Sequence, residues 1–512
     1  MARRARPLAP RGLGVGAALA LALLTLGPLA AVALAADPGR GLGPAEWGAL
    51  RFTVAQAAVS AVLSVGLAVP VARALARRRF PGRGLFVTLL GAPFILPVVV
   101  AVFGLLAVFG RSGLLNDVLA ALGGPRLSIY GFGGVVLAHV FFNLPLAVRL
   151  ILQGWAAVPA ERFRLAASLG APVWTLIERP MLARIVPGAL ALIFLICLSS
   201  FAVALILGGG PRATTVELAI YQALRFDGDL GRAALLAAIQ VVLCLAAVVL
   251  VRLAGRPEDL GGGLDRTVER WDGRAAGARA LDAALIALAG AFLILPMAMV
   301  VLEGVGGLPD LPGTIWTALG RSLLVALGAT VVAVALGLAL AVTGGWWATA
   351  AATLPLAVSA LVLGTGLLIL TRGLVRPEEI GLAATALVNG MLAVPFAARI
   401  LAPAAEQVAA DHGRLAEALG LTGWRYLRIV AVPRMIAPLG FAAGLTAAFS
   451  IGDLGVITLF TDGQVETLPL AMYRLMGSYR TSAAEGAALL LLITALAVFV
   501  AFDRGGRGLA RP

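Results

Sequence analysis

Arg164-Leu-Ala-Ala-Ser-Leu-Gly170 and Arg414-Leu-Ala-Glu-Ala-Leu-Gly420 are two stretches of this chain that share five of their seven residues. They lie 250 residues apart, and the same interval joins three further pairs of identical residues: Pro145 and Pro395, Arg149 and Arg399, and Trp174 and Trp424. Beyond them the register slips by only two residues, since Ile220-Tyr221 matches Met472-Tyr473. A register held through so many landmarks indicates an internal repeat at the scale of a domain.

The composition of the chain places it in a membrane. Of the 512 residues, 61% are hydrophobic and 13% are charged, which is about half the charged fraction of a soluble domain. Many apolar runs reach about 20 residues, the length that an α-helix needs to cross a bilayer. They lack the alternation of polar and apolar residues that is typical of outer-membrane barrels. We therefore expect an all-α membrane protein.

Twelve membrane spans are predicted from these runs. They lie at 13–36, 52–74, 85–109, 130–152, 186–208, 233–251, 281–302, 315–342, 347–371, 380–401, 436–460 and 484–502. The first span follows a basic start and therefore also resembles a signal peptide. Its apolar core of about 24 residues exceeds the roughly 7–15 of a signal sequence, which favours a retained span.

The basic residues orient the predicted spans. All forty are Arg, and 28 of them fall in the two termini and in four segments that the even span count puts on the same side. Such an excess marks the cytoplasmic side. Both termini and both repeated stretches are therefore expected in the cytoplasm.

The repeats divide the chain into two halves. Because six predicted spans lie between them, both copies cross the membrane in the same direction, as a parallel repeat. We expect two homologous bundles, at 47–252 and 314–503. The other segments are an arm with the first span (1–46), a linker with the seventh span (253–313) and a short tail (504–512).

Each repeated stretch is expected to form a short helix in a loop. Helical spacing puts three apolar residues of each copy on one face: Leu165, Ala166 and Leu169 in the first, and Leu415, Ala416 and Leu419 in the second. Gly170 and Gly420 are expected to end these helices as C′ residues. A short helix in water is weakly stable alone, so its apolar face indicates packing against another protein. The alternative is an ordinary amphipathic connector.

These loops resemble the EAA loop of type I ABC importer permeases, in which Glu-Ala-Ala is followed by three residues, a Gly and later a Pro. The resemblance implies the MetI-like type I ABC permease fold, with helices that dock in grooves on a separate ATPase. It assigns that coupling role to Arg164, Leu165, Ala166 and Gly170, and to Arg414, Leu415, Ala416 and Gly420.

The match to the EAA pattern has departures. Both copies carry Arg in place of the leading Glu and Leu in place of the first Ala. Pro433 follows Gly420 after thirteen residues, as the pattern expects, but Pro180 follows Gly170 after only ten. The geometry of the first loop is therefore the less certain of the two.

A narrower resemblance, to permeases that import thiamine or thiamine pyrophosphate, covers most of the chain and is strongest at Gly208–Leu224 and Ser450–Arg480. It implies a non-catalytic permease subunit in the bacterial inner membrane, without a cofactor. The implied partners are two copies of a cytoplasmic ABC ATPase and a periplasmic or extracellular substrate-binding protein. Iron(III) importer permeases share the fused layout, so iron(III) or another small solute stays open as the substrate.

Asp453 is the clearest acid inside a predicted span, and a charge at such depth usually faces a cavity or a partner. It could line the path of a cationic substrate, or it could cap a broken helix beside Gly452 and Gly455. Ser199 and Ser200 occupy the equivalent place in the first half. They could touch substrate, or bond backbone carbonyls of their own helix.

The sequence also excludes several classes of function. Without Lys there is no Walker A loop, so any ATP must be bound by another chain. Cys197 and Cys244 lie in apolar runs, and with only His139 and His412 beside them they form no usual zinc site. The basic residues flank spans and do not indicate nucleic acid binding. An ion-coupled secondary transporter remains the main rival, although it would need coupling acids or His in mid-membrane. A membrane enzyme lacks a candidate site.

Overall fold

The computed structural model describes residues 9–37, 39, 41–91, 96–208, 210, 213–254, 273–461 and 463–509. Within these ranges the chain forms helices and turns, with no strand. Ten helices are long and apolar enough to cross a membrane, or up to twelve if each of two bent pairs counts as one span. The prediction of an all-α, multi-pass membrane protein is confirmed. The expected glycine-rich linker at 261–263 and the arginines of the first eight residues lie outside the described ranges.

The first half of the chain begins with one long helix and continues with the first repeat. Its helices are α1 (Arg11–Ala35), α2 (Pro44–Arg77), α3 (Arg83–Leu89), α4 (Val98–Phe109), α5 (Leu114–Ala121), α6 (Phe132–Ala157), α7 (Ala160–Ser168), α8 (Arg179–Leu198), α9 (Ala202–Leu207), α10 (Val216–Arg225) and α11 (Leu230–Leu253). A π-helical turn at Trp174–Glu178 leads into α8.

The second half follows the same plan. Its helices are α12 (Ala276–Gly307), α13 (Thr314–Thr343), α14 (Trp346–Thr353), α15 (Ala360–Thr371), α16 (Pro377–Ala418), α17 (Trp424–Tyr426), α18 (Val432–Arg434), α19 (Ile436–Ile451), α20 (Ile457–Phe460), α21 (Leu468–Gly477) and α22 (Thr481–Leu509). Short 3₁₀ turns lie at Leu308–Asp310 and Leu354–Ala357, and a π-helical turn lies at Leu427–Ala431.

A pair of equivalent hydrogen bonds, one in each half, shows how closely the two halves match. The Thr53 hydroxyl on α2 accepts the backbone N–H of Val216 at 2.8 Å, which ties the start of α10 to the bundle. The Ser322 hydroxyl on α13 accepts the N–H of Leu468 at 2.8 Å, at the start of α21. Both bonds satisfy one of the first N–H groups of a helix, which have no partner within the helix itself.

The first helix of each half packs against the other half. Helix α1 lies on α13 and α15, whereas α12 lies on α2 and α4. Glycines allow the close approach: a Cβ on Gly366 would lie 2.3 Å from the carbonyl oxygen of Pro28, and one on Gly104 would lie 2.4 Å from that of Pro296. Small residues at such crossings let helix backbones meet in a membrane. The exchanged helices therefore hold the halves together, and the domain boundaries drawn from sequence stay a prediction.

Four predicted spans are wrong as single helices. The third is divided into α3 and α4, the fifth into α8 and α9, the ninth into α14 and α15 at an angle of 86°, and the eleventh into α19 and α20. The breaks lie at equivalent places in the two halves. Hydropathy alone missed them because the residues at the breaks, such as Pro97 before α4 and Ser359 before α15, interrupt the helix without making the segment polar.

The tenth span is longer than predicted. Helix α16 runs unbroken for 42 residues, from Pro377 to Ala418, and so contains the second repeated stretch. The expectation of a separate short helix there is wrong, because no residue between the span and the loop stops the helix. In the first half the separate helix exists as α7.

Candidate functional site

The first repeated stretch owes its separate helix to Pro159. A proline restricts the residue before it to extended backbone, and Val158 accordingly has a ψ of 123° at the end of α6. Pro159 then precedes α7 as its N-cap residue. The chain therefore turns at this point before the short helix begins.

Both repeated stretches end in the same way. Gly170 has a φ of 59° and Gly420 a φ of 67°. The next N–H, of Ala171 or Leu421, donates to the carbonyl of Ala166 or Ala416 at 2.8 Å. This is the Schellman arrangement, in which a left-handed residue at C′ satisfies carbonyls at the helix end. The prediction that the two glycines are C′ residues is confirmed.

The exposed apolar side chains of the two stretches match one another. Leu165 and Leu415 are each 59% exposed. The remaining members of the matched set are also exposed: Leu169 and Leu419, and Trp174 and Trp424. We call Leu165, Leu169 and Trp174 the first coupling surface, and Leu415, Leu419 and Trp424 the second.

The alanines of the motif face the other way. Ala166 is 6% exposed and Ala416 is 2% exposed, because each packs into the hydrophobic core beneath its own loop. The prediction that Ala166 shares a face with Leu165 and Leu169 is therefore wrong, and so is its counterpart for Ala416. Arg164 and Arg414 are exposed beside the leucines. Each surface thus has an apolar centre with a cation at its edge.

A buried acid supports the first coupling surface. Glu178 has no exposed area, and its carboxylate accepts from Nε of Arg73 at 2.9 Å and from the indole N–H of Trp155 at 3.0 Å. The Arg73 guanidinium also lies 5.4 Å from the ring centroid of Trp174. These contacts join the ends of α2 and α6 to the segment that follows the first loop.

The second coupling surface rests on apolar packing instead. Tyr426, Leu427 and Val430 are buried in a cluster with Leu401 and Val408 of α16. Arg428 occupies the position equivalent to Glu178, 250 residues on, and is exposed. Hydrogen bonds to a buried acid therefore support the first coupling surface, whereas apolar packing supports the second.

Asp453 lies at the break between α19 and α20. Its carboxylate accepts the backbone N–H of Gly455 at 3.2 Å and that of Val456 at 3.4 Å. This geometry fits the capping interpretation. A Cβ on Gly452 would lie 2.8 Å from Cα of Pro97, so the break also abuts the start of α4 in the first half.

Ser199 and Ser200 lie at the break between α8 and α9. The Ser199 hydroxyl donates to the carbonyl of Ile196 at 3.3 Å, within its own helix. Two side-chain amides from neighbouring helices bond backbone carbonyls at this break. Nε2 of Gln56 donates to Cys197 O at 3.0 Å, and Nε2 of Gln240 donates to Leu198 O at 2.9 Å.

Sequence reasoning missed Glu217, which lies beside Gln240. Glu217 is fully buried near the start of α10. The available signal was an acid inside the apolar segment Val216-Glu-Leu-Ala-Ile220, which is too short to be read as a span. Among the described residues, no group of three or more His, Cys, Asp or Glu side chains could hold a metal ion.

Comparison with known proteins relates the whole chain to one group of permeases. No family model matches the chain. It is 39% identical to the thiamine transport system permease protein ThiP of Brucella abortus (strain 2308), over 98% of this chain and 97% of the relative. Identity to ThiP of Salmonella typhimurium is also 39%, over 98% of each chain, and to ThiP of Escherichia coli (strain K12) it is 39% over 90% of this chain and 89% of the relative.

A shorter relative matches less than half of the chain. The molybdenum transport system permease protein ModB of Mycobacterium bovis is 35% identical over 44% of this chain and 86% of its own length. This match agrees with a chain built from two permease-sized units and supports the predicted MetI-like fold. Together with the full-length identities, it shows that the chain belongs to the ThiP family of ABC importer permeases.

Proposed function

We propose that this chain forms the membrane pathway through which thiamine or its phosphate esters enter the cell, driven by ATP hydrolysis on a separate subunit. The observation that carries the proposal is the pair of matched coupling surfaces, in a chain 39% identical over its whole length to permeases named for thiamine transport. A binding protein outside the membrane delivers the substrate.

The coupling surfaces are suited to docking a partner. Large side chains such as Leu165 and Leu415 gain free energy when removed from water, and their exposure in matched positions marks an interaction site. Two surfaces imply two copies of the ATPase. Helix α16, about 60 Å long at 1.5 Å per residue, joins the second surface to the opposite side of the bundle. Movement of the ATPase can therefore reach the pathway through one rigid element.

The proposed pathway runs between the two halves, where the broken spans meet. Interrupted helices at corresponding positions in two repeats are a pointer to a transport site. Asp453 lies at one of these breaks, and its negative charge would favour a thiazolium cation through Coulomb attraction. Ser199 and Ser200 border the equivalent break.

Uptake of labelled thiamine tests the proposal. Cells that contain this permease with its ATPase and binding protein should accumulate thiamine in an ATP-dependent manner. Asp453→Asn should reduce uptake while the ATPase still co-purifies. Unchanged uptake in that variant would show that Asp453 has no role in the pathway. Transport of iron(III) in place of thiamine would contradict the assignment of thiamine as the substrate.

The proposed orientation has a separate test. Both termini and both coupling surfaces should face the cytoplasm, as the distribution of Arg predicts. Ala167 and Ala418 are exposed, whereas the native Cys197 and Cys244 are buried and give little background. In sealed cells an impermeant maleimide should fail to label Ala167→Cys or Ala418→Cys and should label both after lysis. Labelling of either cysteine before lysis would contradict the proposed topology.

A further inference from the structure

Glu217 is a buried acid with no cation among the groups described beside it. It is the second residue of α10 and is 1% exposed. Ser359 and Gln240 lie beside the carboxylate, but neither makes a hydrogen bond of ordinary geometry with its oxygens. An acid without a cation in a membrane protein is costly, and such groups are generally kept for transport or binding.

The neighbours of Glu217 come from both halves of the molecule. Gln240 belongs to α11 of the first half, and Ser359 is the N-cap residue of α15 in the second. Helix α10 also packs against α20. The carboxylate therefore lies on the boundary between the halves, and separation of the halves would uncover it.

Two helices place Glu217 towards the outer end of the predicted spans. Thr53, which binds the N–H of Val216, lies nine residues after the start of α2, or about 14 Å along the helix. Gln240 lies ten residues after the start of α11, about 15 Å along it. The predicted spans on these helices begin at Phe52 and Ala233, so Thr53 lies at the outer end of its span and Gln240 lies about 10 Å inside the other. With the orientation proposed above, both helices begin at the outer face.

Glu217 lies between the break that follows α8 and the break that follows α19. Its neighbour Gln240 donates to Leu198 O at the end of α8 and leaves its own Oε1 unpaired among the described residues. On the opposite side, a Cβ on Gly455 would lie 3.3 Å from Leu361 Cδ1, so the Asp453 break abuts the first turn of α15. Ser359 begins that same turn. The start of α15 thus lies between the two acids.

The carboxylates of Asp453 and Glu217 differ in the hydrogen bonds that they accept. Asp453 accepts two backbone N–H groups, whereas neither oxygen of Glu217 accepts a hydrogen bond of ordinary geometry within the described residues. A carboxylate that forms no such bond keeps its capacity for a passing ligand. A fixed organic cation supplies the opposite charge without needing a proton or a metal.

We propose that Glu217 is the residue that recognises a positively charged organic substrate as it passes between the two halves. The proposal rests on the proposed function and adds to it the side chain that selects for the charge of the substrate. Gln240 from the first half and Ser359 from the second flank the carboxylate. Asp453, on the other side of the first turn of α15, adds to the negative potential near the carboxylate.

The test uses the full chain in liposomes with its ATPase and binding protein. Two probes are compared at concentrations that saturate the binding protein: thiamine, and its thiophene analogue deazathiamine, which has the same shape without the positive charge. Glu217→Gln keeps the shape of the side chain and removes the charge. Glu379→Gln, which removes an exposed carboxylate at the start of α16, is the matched control.

The wild type and the control should prefer thiamine. In Glu217→Gln, thiamine uptake should fall about tenfold or more, because a charge interaction in a partly dry site is lost, while uptake of the neutral analogue should change less than about twofold. An equal loss for both probes would indicate a structural role and overturn the inference, as would unchanged preference. Failure of the wild type to transport thiamine would overturn the proposed function, and the inference with it.

A second variant covers the case in which Glu217→Gln does not assemble with the ATPase. Glu217→Asp keeps the charge on a shorter side chain and should retain the preference for thiamine at a lower rate. Loss of the preference in an assembled Glu217→Asp complex would contradict charge recognition.

Discussion

The two coupling loops present the same surface on different foundations. In the first, α7 is a separate helix after Pro159, and a buried acid, Glu178, holds the segment behind it. In the second, the loop is the end of the 42-residue α16, and Arg428 replaces the acid. Yet Leu165 and Leu415 are equally exposed, and both glycine caps adopt the same conformation.

This contrast distinguishes the exposed residues of the coupling surfaces, which are the same in both halves, from the buried contacts that support the loops, which are not. Two copies of one sequence have diverged in their internal supports while the outward leucines, tryptophans and caps stayed matched. The internal supports can differ because a buried ion pair and an apolar cluster can each fix a loop. The outward surface did not diverge, which is expected if both copies meet the same partner.

A proline exchange should give the largest difference between the halves. Ala409, which corresponds to Pro159, lies inside α16, where proline removes a hydrogen bond and clashes with the preceding turn at a cost of about 3 kcal/mol or more. Ala409→Pro should therefore weaken ATPase binding strongly. The reverse change, Pro159→Ala, should have a smaller effect, because it relaxes only the turn before α7 while Glu178 still holds the segment after the loop. A larger effect of Pro159→Ala would show that the proline, not the ion pair, sets the first loop.

Loss of the buried acid tests the second difference. Glu178→Gln leaves Arg73 without its full countercharge; breaking a fully buried pair costs about 3–5 kcal/mol, and because the Arg73 side chain is 29% exposed the cost here should be about 2 kcal/mol. The matched change Arg428→Gln is at an exposed site and should cost less than about 0.5 kcal/mol. Thermal unfolding in detergent measures both. Equal midpoints would mean that Glu178 does not support the first loop.

The caps should respond most alike and with the smallest cost. At a φ of 59° or 67°, a side chain costs about 1–2 kcal/mol. Gly170→Val and Gly420→Val should therefore weaken ATPase co-purification to similar extents, and asparagine, which tolerates this conformation, should have less effect at either site. The first loop departs further from the EAA pattern, but because the two caps have the same conformation we expect equal effects. A valine change without effect at both sites would exclude a docking role for the caps.

The sequence predicted the features that repeat and missed those that do not. The 250-residue register located both caps, and apolar runs located the spans, although α2 begins eight residues before its predicted span and α16 ends seventeen residues after its own. The breaks were missed because residues such as Ser359 and Pro97 interrupt a helix without lowering its hydrophobicity. The inward face of Ala166 was missed because a short helix has too few residues to show which side meets its own protein.

The candidate pathway was harder to predict. Asp453 stood out because it lies in a long apolar run, whereas Glu217 lies in a ten-residue helix between spans. Its burial depends on Gln240 and on Ser359 from the other half, contacts that span more than 20 residues in one case and more than 140 in the other. No local pattern encodes such a meeting.

Cross-linking at the two coupling surfaces tests the central claim most directly. In a chain whose native cysteines are replaced by alanine, Leu165→Cys and Leu415→Cys should each form a cross-link to the co-expressed ATPase. With both cysteines present, two ATPase subunits should be attached to one permease. Cross-linking at both sites, weakened by Gly170→Val or Gly420→Val at the adjacent cap, is the result predicted here. Cross-linking at only one site, or at neither in a complex that still transports, would contradict the account of two equivalent docking surfaces.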